Sequence, residues 1–294
     1  MGPLVSVIIP VYNRLEYICE AIGSVLSQSY QNYEIVIVND GSTVDVCRAL
    51  VKVREKIRYV SHDKNKGLAA TRNTGIKESQ GKYIAFLDDD DLFEDRKLEL
   101  QVQILENHPE VGLVYSDCFE YEGWKKDEMR LNPAVGRADP PGKFPGSFFV
   151  NPNVRVPTVL LRRECFDEVG MFDESLRQHE DGDLFLRVAL KWQVHFLDYP
   201  SAKVRIHEKN MSRDRVEMYE SMIRSWRNIL TSHPEFKESL GRKACLTLGE
   251  LHMRLGKEML RGKLKRAFEV VQSGRRMVRK ARGTERYNDK VEKN

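Results

Sequence analysis

The 294-residue chain has no long apolar run. Stretches such as Val5–Ile9 and Ile35–Val38 fall far short of the ~20 residues that cross a bilayer. Met1 leads into a brief apolar stretch with no basic start and no small-residue cleavage pattern, so no secretory leader is expected and the protein is read as cytoplasmic. No C-x-x-C pair is present. The five cysteines, Cys19, Cys47, Cys118, Cys165 and Cys245, are odd in number and widely spaced. That pattern argues against a zinc site and a disulfide framework, and buried, reduced thiols are the expectation. Acidic residues are scarce near the end of the chain. Residues 257–294 hold 13 Lys and Arg against 5 Asp and Glu, whereas the whole chain nets only +4. This basic stretch lacks interleaved aromatics, which argues against a nucleic-acid partner.

Apolar residues make up 41% of the chain, enough for a packed core. In the first hundred residues they alternate between two periods. VSVIIP (5–10), YEIVIVND (33–40), IRYVSH (57–62), KYIAFL (82–87) and VGLVYSD (111–117) read as strands. Residues 14–28, 44–53, 67–78 and 94–107 read as the helices between them. Near-continuous apolar strands alternating with amphipathic helices predict a mostly parallel α/β sheet covered on both faces. From 118 to 160, prolines and glycines predict loops and short strands. Helices follow at 163–169 and 180–191, with short strands VHFLD and AKVRIH after them. From about 215 to 282 the chain reads as helical, and the last dozen polar residues as frayed.

In such a sheet, ligands bind beyond the carboxyl ends of the strands. Asn13, Asp40 and the run Asp88–Asp91 all fall there. Asp88 and Asp90 form a D-x-D pair suited to a hard divalent cation such as Mg2+ or Mn2+, which would relieve the repulsion and hold a diphosphate. The same run also reads as a strand end followed by an acidic helix start, and Asp91 fits that role. Asp40, in NDGS, is either a turn residue or a carboxylate that accepts a pyrimidine N–H. Arg72, in NKGLAATRNTG (65–75), is either a solvated arginine on a helix or a phosphate contact.

PVYNR (10–14), VNDGS (38–42), NKGLAATRNTG (65–75) and FLDDDD (86–91) resemble, in order and spacing, the motifs of family 2 glycosyltransferases. The resemblance implies a GT-A (Rossmann-like) fold and inverting sugar transfer from a nucleotide-sugar, most often a UDP-sugar, with Mn2+ or Mg2+. It implies that Pro10, Tyr12, Asn13 and Arg14 line the nucleotide pocket and that Asp40 reads the base. Asn65, Gly67 and Arg72 would complete the donor wall, Asp88 and Asp89 would face the ribose or donor, and Asp90 would bind the metal. VNDGS departs from the pattern in one place, with Asn39 where many members carry a second Asp.

Single displacement also needs a base for the acceptor hydroxyl. QHEDGDLFLRVALKW (178–192) opens a helix with acids, which alone also reads as an N-terminal cap segment. The resemblance favours Asp181 as base and Glu180 as a sugar-holding residue, with Asp183 structural. Trp192 fits an acceptor wall or a packed core. His207, at the end of a predicted strand, reads by itself as a structural histidine; the resemblance favours it as a metal or diphosphate ligand, with Arg205 and Arg213 supporting the phosphates.

The expected domains are 1–214, a transferase domain with a nucleotide-binding half (1–117) and an acceptor half (118–214), and a helical extension, 215–294. Within the extension, Leu248, Gly249, His252, Gly256 and Ala267 faintly resemble one tetratricopeptide-like helix pair. Its basic face, including Lys263, Lys265, Arg266, Arg275, Arg276, Arg279 and Lys280, is either solvated or a peripheral contact with an anionic membrane at its inner face. The expected acceptor is a glycan or lipid-linked glycan. A processive synthase is not expected, since KWQV (191–194) does not match a Q-x-x-R-W motif. The competing readings are a nucleotidyltransferase and a catalytically dead nucleotide-sugar-binding or scaffold protein.

Overall fold

The computed structural model describes residues 2–134, 154–208, 210, 214–261 and 267–291. Arg213, Lys263, Lys265 and Arg266 lie outside the described residues. The chain folds as two compact units, one of 1–175 with 184–208 and one of 176–183 with 209–294.

The first unit is built on a sheet of β1 (Val5–Val11), β2 (Tyr33–Asn39), β3 (Ile57–Ser61), β4 (Tyr83–Phe86), β5 (Leu92–Phe93), β6 (Val111–Glu122), β7 (Arg130–Asn132), β8 (Leu160–Arg162) and β9 (Gln193–Ile206). Their order is β3-β2-β1-β4-β8-β6-β9-β5, with β7 on β6. The first four are parallel. Beyond them the sheet is mixed: β8 runs antiparallel between β4 and β6, β9 is parallel to β6, and β5 is antiparallel to β9.

Every residue of β1 is buried, as a central strand covered on both faces requires. Pro10 survives inside it because β4 pairs only Val5–Ile8, so β1 is paired on one side alone by then. Helix α1 (Ile18–Leu26) buries Ile18, Ala21, Ile22 and Val25, the spacing of one helical face. Next come α2 (Val46–Ala49), a 3-10 turn (Val51–Lys56), α3 (Leu68–Glu78) and α4 (Lys97–Asn107). Helix α4 turns two polar side chains inward. Lys97 donates to Gln101 Oε1 and to the Val159 carbonyl (3.2 Å), and Gln101 Nε2 donates to the Thr158 carbonyl (2.7 Å).

Several boundaries differ from expectation. The helix read from 94 begins at Lys97, because Leu92–Phe93 are drawn into β5. Asp91 therefore does not start a helix. VHFLD and AKVRIH are one 14-residue strand, not two. Its register on β6 jumps from Leu197 to Ala202 around Pro200, and that bulge mimics a loop in the sequence. Of the cysteines only Cys118 and Cys165 are buried, while Cys19, Cys47 and Cys245 are exposed, correcting the expectation of buried thiols.

Helices α5 (Glu164–Val169) and α6 (Glu180–Lys191) follow, and the division between units falls within α6. The second unit carries α7 (Arg215–Ser232), α8 (Pro234–Leu240), α9 (Arg242–Arg261) and α10 (Ala267–Val291). Helix α10 continues to Val291, past the fraying expected from 283. Small residues let α9 and α10 approach closely: a Cβ on Gly274 would lie 2.5 Å from the Gly249 carbonyl, and one on Gly249 2.8 Å from Val278. Arg275, Arg276, Arg279, Lys280 and Arg282 are exposed on α10.

Candidate active site

The chain leaves β1 and β4 at the same edge of the sheet. β1 leads to β2 and β3 on one side, and β4 returns on the other, so the strand order switches between β1 and β4. Such a switch point opens a crevice at the carboxyl ends of its two strands. Arg14, just past β1, meets the aspartates just past β4 there. Its Nη2 lies 2.9 Å from Asp89 Oδ1, and its Nη1 donates to Asp90 Oδ2 at 2.5 Å. His207, just past β9, joins them: its Nε2 lies 2.7 Å from Asp90 Oδ2 and 2.8 Å from Arg14 Nη1.

The four aspartates have separate partners. Asp88 Oδ1 accepts from Arg72 Nη2 (2.7 Å), whose side chain is buried over the Phe172 ring. Asp89 and Asp90 share Arg14. Asp91 Oδ1 accepts from the Arg205 backbone N–H (2.9 Å). Burial pushes the Asp89 and Asp91 carboxyls well above the usual carboxylate range, and the charges of Asp90 and Asp88 add to both. Arg14 opposes that rise at Asp89. Burial disfavours the charge of Arg14 itself, but Asp89, Asp90 and Asp88 together hold its guanidinium above its ordinary value.

The β2 corner is equally built. Asp40 is buried. Its Oδ1 accepts from Lys66 N (2.8 Å) and pairs with His62 Nδ1 (2.8 Å), and its Oδ2 accepts from Gly67 N (2.9 Å). The other His62 nitrogen lies 2.9 Å from Thr74 Oγ1 on α3. Gly41 sits at φ +67, where a Cβ would come within 2.6 Å of Lys64 Cα, so only glycine lets the two loops close together. Asn13 adopts φ 54, a left-handed conformation that asparagine tolerates, and its Oδ1 accepts from Thr43 N (2.7 Å) and Thr43 Oγ1 (3.0 Å). Tyr12 is 49% exposed beside it, and Asn65 is exposed.

Arg205 corrects an expectation. It is fully buried, ringed by Tyr17, Tyr121 and Trp124, and paired with Glu20 (2.7 Å), so it does not reach out to phosphates. Trp192 is half-buried and lies against Gly112 on β6. His62 and Thr74 were missed by sequence reasoning. His62 is the first residue past β3, so the strand-end rule that selects Asp40 could have selected it too.

In the second unit, Glu180 is buried at the start of α6 and Asp181 Oδ1 accepts from Gly182 N (2.7 Å). Asp183 Oδ1 accepts from Ser225 Oγ (2.7 Å), which ties α6 to α7. His179 stands at φ 61 with its ring edge-on to Trp226, and a Cβ on Gly182 would come within 2.6 Å of that ring.

Among the described residues, no three His, Cys, Asp or Glu side chains converge as a metal cage. Asp90 Oδ2 and His207 Nε2 nevertheless converge on one point, now facing the cationic Arg14 Nη1. A carboxylate oxygen with one imidazole nitrogen suits Mn2+ better than the harder, oxygen-preferring Mg2+, provided that substrate oxygens and water fill the other positions.

Residues 6–170 match Glycosyl transferase family 2, and the chain belongs to that family. An uncharacterized glycosyltransferase of Rickettsia felis is 40% identical over 204 residues, which cover 69% of this chain and 33% of that protein. The chain thus spans about a third of that relative's length. The fold is that of GT-A glycosyltransferases. S. aureus TarS 1–349 in complex with UDP-GlcNAc superposes with a TM-score of 0.67 at 20% identity, covering 97% of this chain and 92% of that one. The mannosyltransferase PcManGT from Pyrobaculum calidifontis, in complex with GDP-Man and Mn2+, gives 0.61 at 17% identity, covering 99% and 88%. Among the described residues, no helix is long and apolar enough to cross a membrane.

Proposed function

We propose that this chain transfers a sugar from a nucleotide-sugar, a UDP-sugar in the first instance, to a hydroxyl of a glycan or lipid-linked glycan, with inversion. The observation that carries this reading is the convergence of Arg14, Asp89, Asp90 and His207 at the switch point between β1 and β4. Asp40, on its loop with Gly67, reads the base, and Pro10, Tyr12, Asn13 and Asn65 complete the nucleotide pocket. Asp88 faces the ribose and donor, and Arg72, buried behind it, completes the donor wall by holding that carboxylate through Nη2. A divalent ion, Mn2+ or Mg2+, held by Asp90 and His207 would offset the charge of the departing diphosphate. Arg14 Nη1 would give up its place on Asp90 Oδ2 and His207 Nε2 to that ion, and the guanidinium, still paired with Asp89, would keep positive charge at the same edge. Asp181 takes the acceptor proton as the new C–O bond forms and the bond to the diphosphate breaks. Glu180 holds a sugar hydroxyl. The donor-bound states of TarS and PcManGT support a nucleotide-sugar as donor.

Residues 1–214 act as the transferase domain and 215–294 as a helical extension. The exposed basic face of α10 contacts anionic lipid, which puts the protein in the cytoplasm or at the inner face of the membrane. Flotation with anionic vesicles, with and without 257–294, tests that contact, and equal recovery of both forms would remove it.

Incubation with radiolabelled UDP-, GDP- and dTDP-sugars, Mn2+ and glycan acceptors tests the activity. Release of nucleoside diphosphate with labelled product of inverted anomeric configuration is expected. Donor binding without turnover would favour a dead binding protein, and pyrophosphate release a nucleotidyltransferase.

A further inference from the structure

Arg205 is an arginine with no exposed surface in a site otherwise built for ligands. Its guanidinium carbon lies 4.0 Å from the Tyr17 ring centroid and 4.8 Å from those of Tyr121 and Trp124. Nη2 donates to Glu20 Oε2 (2.7 Å), and Nη1 to the Gly123 carbonyl. Nε donates to the main-chain carbonyl of Asp90 (3.0 Å), and the Arg205 backbone N–H donates to Asp91 Oδ1 (2.9 Å). One residue therefore grips the acidic turn from both its main chain and its side chain. Tyr17, which lies against Arg205, also stacks on the His207 ring at 5.9 Å, and His207 is two residues further along the chain.

We propose that Arg205 is a positioning residue: it fixes the Asp90 main chain and, through Tyr17, the His207 ring, so that Oδ2 and Nε2 converge on one cation. This rests on the reading of Asp90 and His207 as metal ligands. The physical reason is the fork. A planar guanidinium offers donors in fixed directions, and here three of them are spent on Asp90 O, Gly123 O and Glu20. The aromatic faces hold the plane, and Glu20 balances the charge. A lysine offers a point charge in place of that fork. The Asp90 carbonyl would lose its anchor, and the direction of its side chain with it.

The test compares Arg205→Lys and the milder Glu20→Gln with the unaltered protein. UDP affinity is measured by calorimetry with and without Mn2+. Hydrogen exchange is followed in peptides covering 88–93 and 5–11. Arg205→Lys is expected to lose at least tenfold of the Mn2+-dependent gain in UDP affinity while metal-free UDP affinity stays within twofold. Glu20→Gln is expected to lose a few-fold. Exchange should quicken in 88–93 and not in 5–11. Unchanged Mn2+ dependence in Arg205→Lys, or equal loss of both affinities, would overturn the proposal. If the unaltered protein shows no Mn2+ dependence, the metal reading of Asp90 fails by itself. Exchange then decides the role of Arg205: selective quickening in 88–93 keeps it as the anchor of the turn, and unchanged exchange there overturns it.

Discussion

His207 Nε2 and Asp90 Oδ2 lie 2.7 Å apart although 117 positions separate them in the chain. The strands that precede them, β4 and β9, are not neighbours in the sheet. The two-residue strand β5 brings them together by pairing Leu92 with Lys203 and Phe93 with Ala202, antiparallel. The residues before Leu92 then run beside those after Lys203, and Arg205 bonds to both Asp90 and Asp91.

Asp90→Ala and His207→Ala should each weaken Mn2+-dependent UDP binding about tenfold or more, ~1.4 kcal/mol. Calorimetry with and without Mn2+ checks this. Unchanged binding in Asp90→Ala would sink the metal assignment.

Asp181→Asn should lower transfer by about 10²- to 10⁴-fold, the usual worth of a general base. Nucleotide binding and the melting temperature should hardly move, since the amide keeps the size and the acceptor oxygen that meets Gly182 N. Normal turnover in this variant would remove Asp181 as the base.

Asp40→Asn should destabilise the first unit by about 1–3 kcal/mol, because an amide NH2 would face backbone donors at Lys66 or Gly67. UDP affinity should fall with it. Urea unfolding and UDP titration report the two effects separately.

Lys97 supplies a pH test remote from the site. Burial holds its ammonium well below the ordinary lysine value. Between that lowered value and about 10.4 the unfolded chain binds the extra proton, so stability should rise with pH across that window. The limiting slope is about 1.4 kcal/mol per pH unit. Lys97→Met should remove this contribution, so the gap between the two urea midpoints should change with pH. A constant gap would contradict the burial cost assigned to Lys97.

Gly274→Ala should cost about 1–3 kcal/mol, because the new methyl meets the Gly249 carbonyl at 2.5 Å and backbone gives way poorly. Thermal melting should show the loss in the helical unit, with UDP binding unchanged.

The rim of the sheet was legible because strand ends are marked by sharp changes of composition. VSVIIP, YEIVIVND and KYIAFL stop at Asn13, Asp40 and Asp88, and in a parallel sheet those stops share one edge. The mixed half was less legible. β8 has three residues and β5 two, too short for any period to show. Pro200 split β9 in the reading because a bulge and a loop look alike in one dimension. Arg205 was misread as a phosphate contact, since nothing local announces that Tyr17, Tyr121 and Trp124 will enclose it.

From composition and period alone came the parallel strands of the first half, the helices between them and the residue types at the edge, because those depend on local hydrophobicity and backbone preference. The pairing of Arg14 with Asp89 and Asp90, the burial of Arg205 and the meeting of Asp90 with His207 were decided in three dimensions. Each depends on which strands become neighbours, and that choice is made by packing between segments that the chain itself keeps far apart.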